Sequence, residues 1–521
     1  MRYTLSTVAA LALTMTGCAS SEMMYESADD LASGAGYADT GFYGPEDGGS
    51  DADWDDGLGS ESEDDYLKLL PATTQKYVFV ANPTRNTVSR IAVPELEVIT
   101  VEVDEEPAIA LTTSDYARAV TLNTGVDTMS VIDAEALEVA NIEIRPNLNQ
   151  MVLSDDGNWA VAWHDPNLDE EDDGGATSYY EISIVNTITL EHFPMVVGFS
   201  PNEIAFTPDD SMALVVGNAY LARIDLTAED ISPDLIQIAS DPLDPPEAEE
   251  VELTPDGTFA FVRQYGTSEI VVVDLQGDIV DTVDVGANPT DLDLTPDGTQ
   301  AVVVARASQE LWILDATDPF GPADVVDLPE DETLGSIQFL PDGSRAVVFT
   351  TATLTNHYAV WDVFSDEIEV HALVKPIDTI SVTPTGESLL IFHTLADAAD
   401  AESSDLYYGE WALTVTNLDD FRSNAIGIEG EPLAYANTDD GEHGFFVMDQ
   451  VETLMMLEYS SLLYEAVDLN SAPVHVGVLP DSSYAYVNQE HDLGRLSFFD
   501  AETETLQTIT GFELNSEIEH Y

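Results

Sequence analysis

From about residue 66 onward, the chain repeats one pattern of apolar and polar positions. A short alternating apolar run is followed by Pro-Asp-Gly and then by a second apolar run. Pro fixes φ, Asp bonds its own backbone and Gly takes the left-handed conformation, so the phrase predicts a hairpin turn with a structural role. Clear copies lie at 253–257, 294–298 and 339–343, and weaker ones at 153–157, 206–210, 382–386 and 478–482.

Each copy continues with two more short apolar segments. In the copy that begins near residue 289, segments 292–294 and 301–304 are followed by 311–315 and 324–328. Strands this short, with a turn about every 8–12 residues, are typical of all-β proteins. A period of about 40–45 residues with four strands is typical of a propeller blade. The sequence therefore predicts an all-β fold, a β-propeller of four-stranded blades.

The repeats resemble the YVTN-type propeller repeats, in stretches such as 77–82 and 88–91. The resemblance covers nearly everything from 66 to 521 and implies the fold more than a function. Counting copies gives about ten units, which begin near residues 66, 107, 146, 201, 249, 289, 335, 376, 432 and 473. We predict one large ring. The alternatives are two smaller rings, or a ring of seven or eight blades with extra units.

Two further features concern the ring's history and closure. The units from 146 and 376 carry matching insertions at the same point, which indicates an old duplication of five units. The C-terminal residues 515–519 align with the first strand of the unit from 289 and predict an extra first strand that closes the ring. Residues 66–71 are the competing candidate for that position.

The N-terminus has the features of a targeting segment. Residues 1–17 combine Arg2 with an apolar stretch too short to span a bilayer. Met15-Thr16-Gly17-Cys18 resembles a bacterial lipobox, which implies that Cys18, the only cysteine, is diacylated and becomes the first residue. Several acyl chains suffice for stable anchoring. Ala19, rather than Asp, is similar to an outer-membrane address; the alternative is an ordinary secretory signal with a chance cysteine.

The segment from 18 to 65 is rich in Gly, Ser, Asp and Glu and has no apolar period. It cannot bury enough surface to offset its ordering entropy, so we predict a disordered acidic tether between the anchor and the propeller at 66–521. The whole chain carries 100 acidic against 14 basic residues, a net charge of −86. That charge excludes nucleic acid as a partner, because phosphates are bound by Lys and Arg.

Few residues suggest chemistry. There is no phosphate-binding glycine loop, no zinc-protease or serine-hydrolase motif and no cysteine cluster. His164 and His393 occupy the same repeat position, at the end of the second strand. They are candidates for the ligand-binding face, and the alternative is that each anchors a loop within its own blade. Asp169, Glu171 and Asp173 have the spacing of half a calcium loop, and a solvated acidic loop is the alternative.

Two functions are compatible with the sequence. The first is an extracytoplasmic lipoprotein of the bacterial cell envelope that binds a protein, peptide or glycan, with the insertions at 164–180 and 393–409 as its working face. The second is a hydrolase, because YVTN-type repeats resemble lactonase-type propellers. That resemblance implies a central funnel lined by His, Glu and Arg, in which sugar lactones are hydrolysed. The chain has only 11 Arg, and no set of His, Glu and Arg residues can be assigned to such a funnel from the sequence, so we favour the binding module. No cofactor other than calcium is indicated.

The acidity predicts a dependence on salt. Carboxylates spread over every unit, with only three Lys, resemble adaptation to a saline exterior; a cation-loaded or partner-steering surface is the alternative. We expect the melting temperature to rise between 0.01 M and 1 M salt, as the Debye length falls from about 30 Å to about 3 Å. Circular dichroism measures the melting temperature. A melting temperature that stays constant across this range would contradict adaptation to a saline exterior.

Overall fold

The computed structural model describes residues 71–519, apart from 166–178, 244, 247, 265, 278, 400, 492–493 and 513–516. These residues form ten sheets, each containing four consecutive antiparallel strands, and include no α-helix. The predicted ten-bladed all-β propeller is therefore confirmed. The first strands begin within a few residues of the predicted unit starts. Cys18 and the tether at 18–65 lie outside the described residues.

Within each blade the strands run in chain order from the central axis to the rim. The first five blades contain β1 (Ala72–Thr73), β2 (Tyr77–Asn82), β3 (Thr87–Ala92), β4 (Val98–Glu102), β5 (Pro107–Thr112), β6 (Arg118–Asn123), β7 (Thr128–Asp133), β8 (Val139–Glu143), β9 (Gln150–Leu153), β10 (Trp159–Trp163), β11 (Glu181–Asn186), β12 (His192–Val196), β13 (Pro201–Phe206), β14 (Met212–Gly217), β15 (Tyr220–Asp225), β16 (Pro233–Gln237), β17 (Ala248–Leu253), β18 (Phe259–Gln264), β19 (Glu269–Asp274) and β20 (Ile279–Asp284).

The last five blades have the same plan, and one further strand follows them. They contain β21 (Pro289–Leu294), β22 (Gln300–Ala305), β23 (Glu310–Asp315), β24 (Asp324–Asp327), β25 (Ser336–Phe339), β26 (Arg345–Phe349), β27 (His357–Asp362), β28 (Glu367–Ala372), β29 (Ile377–Val382), β30 (Ser388–His393), β31 (Trp411–Asn417), β32 (Ser423–Ile428), β33 (Pro432–Asn437), β34 (His443–Met448), β35 (Val451–Glu458), β36 (Leu463–Asp468), β37 (Pro473–Val478), β38 (Tyr484–Gln489), β39 (Arg495–Asp500), β40 (Thr505–Thr510) and the extra β41 (Glu517–Glu519).

The hydrophobic core lies between the blades. Ten clusters of buried side chains occur, one at each junction of neighbouring blades, including the junction of the tenth with the first. Both faces of the middle strands are covered, so a strand such as β22 is apolar almost throughout. The rim strands are mostly exposed, as in β20. One closed ring follows, and the alternatives of two rings or extra units are wrong.

The Pro-Asp-Gly phrases form hairpin turns between the first and second strands. After β17, the backbone N–H of Thr254 donates to the carbonyl of Phe259 at 3.0 Å, and Gly257 has a φ of +65°. Asp256 Oδ1 accepts the backbone N–H of Thr258 at 3.0 Å. In a related turn, hydrogen bonds from the Ser344 backbone and hydroxyl lower the pKa of Asp342. These residues are structural, as the sequence predicts.

Neighbouring turns pack against one another and form a belt around one face, which we call the turn belt. A Cβ at Gly298 would lie 2.0 Å from Pro255 Cγ of the preceding blade. Elsewhere the contact is polar: Asp210 accepts the backbone N–H of Asp156 at 2.7 Å, and Asp439 accepts that of Asp481 at 2.7 Å. Turn glycines that contact the turn of the preceding blade are Gly157, Gly257, Gly298, Gly343, Gly386 and Gly441.

A second acidic position caps the turn between the third and fourth strands. Asp133 ends β7, and its Oδ1 accepts the backbone N–H groups of Glu135 and Ala136 at 2.9 and 2.6 Å. The same cap is formed by Asp225, Asp274, Asp315, Asp362 and Asp500. Short side chains that accept turn amides favour these sites. Some of the aspartates that make the chain acidic are therefore explained by their hydrogen bonds to turn backbone.

Ring closure differs from the predicted arrangement. The inner strand of the first blade is β1, just beyond the predicted 66–71, and the C-terminal strand does not occupy that position. Instead β41 runs parallel to β4 at the outer edge of the first blade, with Ile99 opposite Glu517. The expectation that 515–519 supply a first strand is wrong. The chain leaves the tenth blade at its outermost strand, β40. The sheet edge nearest to the C-terminal residues is therefore the outer edge of the first blade, which is β4.

A hydrogen bond from the tenth blade to the first also closes the ring. The buried Tyr486 hydroxyl donates to the Pro71 carbonyl at 3.0 Å, and burial raises the pKa of Tyr486. We expect Tyr486→Phe to lower the free energy of unfolding by about 1–2 kcal/mol, because it leaves a buried carbonyl without its donor. Urea unfolding measures this loss. Tyr464→Phe, on the half-exposed rim, is the control; equal stability of both variants would contradict the role of the bond.

Candidate functional site

The blade topology separates two faces of the ring. The turn belt and the turns between third and fourth strands lie on one face. The opposite face carries the loops between second and third strands and the crossings from each blade to the next. We call it the crossing face. Both sequence insertions join a second strand to a third, so both belong to the crossing face. Long loops on a rigid scaffold are frequent sites of function.

His393 is buried and bonded within its own blade region. Its Nδ1 lies 3.1 Å from the carbonyl of Pro376 and its Nε2 lies 2.7 Å from Thr414 Oγ1. A neutral ring satisfies both contacts by donating from Nδ1 and accepting at Nε2. Burial lowers the pKa of His393 to about 4. The side chain therefore ties the crossing before β29 to the third strand, β31.

His164 occupies the matching position in the third blade. Its Nδ1 lies 2.9 Å from the carbonyl of Asn147, and the ring of Tyr179 meets it edge-on at 5.2 Å. The side chain is buried. The third and eighth blades are five places apart in a ring of ten, so the two histidines lie on opposite sides and the structure does not bring them together.

Other blades place different polar side chains at this position. Asn123 Nδ2 donates to Ser130 Oγ at 2.7 Å, and Gln489 Nε2 donates to Ser497 Oγ at 2.5 Å. Both side chains are buried, and both bonds join the second strand to the third. The end of the second strand is thus a recurring polar position, and of the two histidines His393 forms the same link to the third strand through Thr414.

Carboxylates on the innermost strands contact the next blade. Glu203 Oε2 accepts the backbone N–H of Val251 at 3.1 Å, and Asp291 Oδ2 accepts that of Ile337 at 2.5 Å. The buried Arg263 forms an ion pair with Glu250 on the neighbouring strand, with Nε and Oε2 2.7 Å apart. The exposed edges of the inner strands need such acceptors. These contacts hold neighbouring strands and blades together.

The loop 394–410, which joins β30 to β31 and carries the second insertion, is held to the crossing face by Lys375. The Lys375 ammonium donates to Asp397 Oδ1 at 2.5 Å and to the carbonyls of Leu395 and Tyr407, both at 3.2 Å. Three donors thus meet three acceptors of the loop, and the side chain is 1% exposed. Asp397 Oδ2 also accepts the backbone N–H of Gly409 at 2.9 Å.

Sequence reasoning gave Lys375 no role, although a signal existed. It is one of three lysines in the chain, and it stands between Val374 and Pro376 just before an apolar strand. A rare lysine in an apolar context is expected to have partners when buried.

A small cavity lies between this loop and the crossing into the eighth blade. Its volume is about 120 Å³, and its lining is mixed: Asn356, Val374, Lys375, Pro376, Asp397, Ala398, Ala401, Asp405 and Leu406. Asn356 belongs to the loop of the seventh blade, so two neighbouring blades contribute. The cavity is therefore a place on the crossing face where charged, amide and apolar groups converge.

Exposed apolar side chains surround both insertion sites. The second insertion presents Leu395, Leu406 and Tyr408, which are 47%, 58% and 46% exposed. Beside the first insertion, the rings of Tyr180 and Phe199 lie 5.3 Å apart and are about half exposed. Exposed apolar groups rimmed by polar residues are typical of interaction surfaces.

The candidate calcium ligands Asp169, Glu171 and Asp173 lie outside the described residues. Within the part of the chain that the structure describes, no group of three or more His, Cys, Asp or Glu is placed to hold a metal ion. In the same part, no helix has the length and apolarity needed to cross a membrane.

No protein-family model matches the chain, and no curated protein matches it. Solved structures do resemble it. A eukaryotic initiation factor is 11% identical with a TM-score of 0.51, covering 76% of this chain and 95% of that one. The dihydro-heme d1 dehydrogenase NirN in complex with DHE is 12% identical with a TM-score of 0.43, covering 67% and 77%. The β-propeller domain of Myceliophteria thermophila Cps50 (Swd1) is 12% identical with a TM-score of 0.34, covering 60% and 96%. Such identities concern the fold alone: the chain is a ten-bladed β-propeller, a fold that supports a binding or scaffold module in general terms.

Proposed function

We propose that the protein is an extracytoplasmic lipoprotein of the bacterial cell envelope, anchored to the outer membrane, whose propeller binds a protein, peptide or glycan on its crossing face. The lipobox-like Met15-Thr16-Gly17-Cys18 supports the anchor, and the acidic segment 18–65 would serve as its tether. The rigid ring supports the binding role, because propellers present loops from many blades on one face.

One observation carries the binding role. The loop 394–410 is bonded at three residues to a buried ammonium, and yet it exposes Leu395, Leu406 and Tyr408 to solvent. Ordering a loop costs conformational entropy, and a preorganised loop spares a partner that cost on binding. Apolar side chains held in place at the surface are suited to contact with a partner.

The partner is best sought by capture from native membranes. The tagged protein is compared with a variant carrying Leu406→Ser and Tyr408→Ser, which alters only exposed side chains. Phe364→Ser is the matched control, because Phe364 is 83% exposed on the opposite face. Loss of a specifically captured species in the loop variant alone supports the proposal, and equal capture by all three proteins contradicts it.

The anchor makes a separate prediction. Cys18→Ser removes the only thiol that can be acylated, so the protein should move from the detergent phase to the aqueous phase on phase separation. The wild-type protein is the control and should partition with detergent. A Cys18→Ser protein that stays in the detergent phase would show that the lipobox interpretation is wrong.

A further inference from the structure

We infer that the cavity under the loop 394–410 is a socket for one lysine or arginine side chain of a partner polypeptide. The inference rests on the proposed binding function and names the chemistry of the partner. A volume of about 120 Å³ is well below the roughly 300 Å³ at which pockets for whole metabolites start. The cavity therefore has the scale of a single side chain.

The polar lining offers more acceptors than donors. The ammonium protons of Lys375 are directed to Leu395, Asp397 and Tyr407. Asp397 and Asp405 both line the cavity, and Asp405 Oδ2 accepts the backbone N–H of Glu402 at 2.8 Å. A carboxylate can accept about four hydrogen bonds, and the two contacts described for Asp397 leave capacity for a ligand. The Asn356 amide donates one of its two N–H groups to the carbonyl of Leu373, and its oxygen adds a neutral acceptor.

The charge balance of the lining favours a cation. Lys375 is neutralised by Asp397, with which it forms an ion pair, so Asp405 gives the cavity a net negative charge. The net charge of −86 for the whole chain adds long-range attraction for basic segments and repels acidic ones. An ammonium or guanidinium group is attracted both by the negative charge of the cavity lining and by the negative charge of the whole protein.

The remaining lining is apolar and suits an aliphatic stem. Val374, Pro376, Ala398, Ala401 and Leu406 complete the cavity. Lysine and arginine combine a charged head with three or four methylene groups, which pack on apolar surface while the head reaches polar partners. In the cavity, the polar residues can contact the charged head of such a side chain, and the aliphatic residues can contact its methylene groups.

The test uses blocked five-residue peptides, Gly-Gly-X-Gly-Gly, with X as Lys, Arg, norleucine or Glu. Binding to the full protein is followed by ligand-observed NMR at 0.15 M salt. We expect saturable binding for Lys and Arg, and at least about tenfold weaker binding for norleucine, because bonds to a charged head contribute about 1.5–3 kcal/mol. The Glu peptide should not bind. Equal binding of Lys and norleucine peptides would overturn the inference.

Charge-neutral variants separate the socket from general attraction to an acidic surface. Ala401→Phe and Ala398→Leu each fill the cavity without altering net charge. Ala399→Phe is the matched control, since Ala399 is exposed in the same loop and does not line the cavity. Both filling variants should weaken Lys binding at least about tenfold, and Ala399→Phe should not. Binding that survives in both filling variants overturns the inference.

A second pair tests the carboxylate. Asp405→Asn should weaken binding of the Lys peptide about two- to fivefold, because Asp405 is exposed and an exposed ion pair contributes about 1 kcal/mol or less. Glu402→Gln removes the same charge from an exposed site in the loop that does not line the cavity, and it should leave binding unchanged. Free pentylamine reproduces the lysine side chain and should bind about as tightly as the Lys peptide. Binding of pentylamine at least about tenfold tighter than that of the peptide would assign the cavity to a small amine and overturn the polypeptide assignment. Partner capture that depends on Leu406 and Tyr408 while the peptides fail to bind would leave the proposed function standing and remove the socket.

Discussion

Replacing Lys375 with methionine is expected to release the loop 394–410 from the crossing face. The substitution keeps an unbranched side chain of similar length but removes the ammonium. The carbonyls of Leu395 and Tyr407 and the carboxylate of Asp397 then lose their shared donor. Breaking a buried ion pair from one side costs about 3–5 kcal/mol, because the remaining charge stays in a poorly solvated place.

Hydrogen exchange measures this effect directly. The amides of Asp405 and Gly409 are bonded within the loop, and we expect the free energy of their opening to fall by about 3 kcal/mol in Lys375→Met. Lys76→Met is the matched control. Lys76 pairs with Glu135 at 3.2 Å, but both side chains are 68% exposed, and such pairs contribute little. Unchanged loop exchange in Lys375→Met would contradict the anchoring role.

Gly298→Ala is expected to destabilise the propeller from the turn belt. Gly298 has a φ of +66°, a conformation that costs a residue with a Cβ about 1–2 kcal/mol. The new methyl group would also lie 2.0 Å from Pro255 Cγ and 2.4 Å from Pro255 Cδ. A proline ring cannot rotate away, so the neighbouring turn must shift, and such overpacking costs about 1–3 kcal/mol. The expected total loss is about 3 kcal/mol.

Gly266→Ala separates the two causes. Gly266 has a φ of +68°, nearly the same as Gly298, but nothing lies within 4 Å of its added Cβ. Only the conformational cost remains, and we expect a loss of about 1 kcal/mol. Urea unfolding of both variants gives the comparison. Equal losses would show that the methyl group added at Gly298 causes no strain between neighbouring turns.

The ten-blade architecture could be predicted because its determinants are local. The turn phrase at 294–298 specifies a hairpin by the conformations of Pro, Asp and Gly, and the apolar runs on each side specify strands. Repetition of that unit then leaves little freedom in the fold. The number of units followed from counting, and the closed ring followed once every unit had an apolar face to bury.

Ring closure could not be predicted because it depends on contacts distant in sequence. The segment 515–519 has a strand pattern, but a strand pattern does not say which edge it joins or in which direction. Likewise Lys375 finds Asp397, Leu395 and Tyr407 only after the loop has folded back over the crossing. The repeat alignment put His164 and His393 in equivalent positions, but their hydrogen-bond partners could be found only from the structure.

Closure between the tenth and first blades also determines how the protein can come apart. An open row of repeats frays from its ends, since each end unit has a single neighbour. Here the cluster around Tyr486, the bond to Pro71 and the β4–β41 pair give the first and tenth units a neighbour on both sides. No blade can leave without two interfaces failing together. Cooperativity of the whole array therefore depends on this one seam, and weakening it would turn a single unfolding transition into stepwise loss of blades.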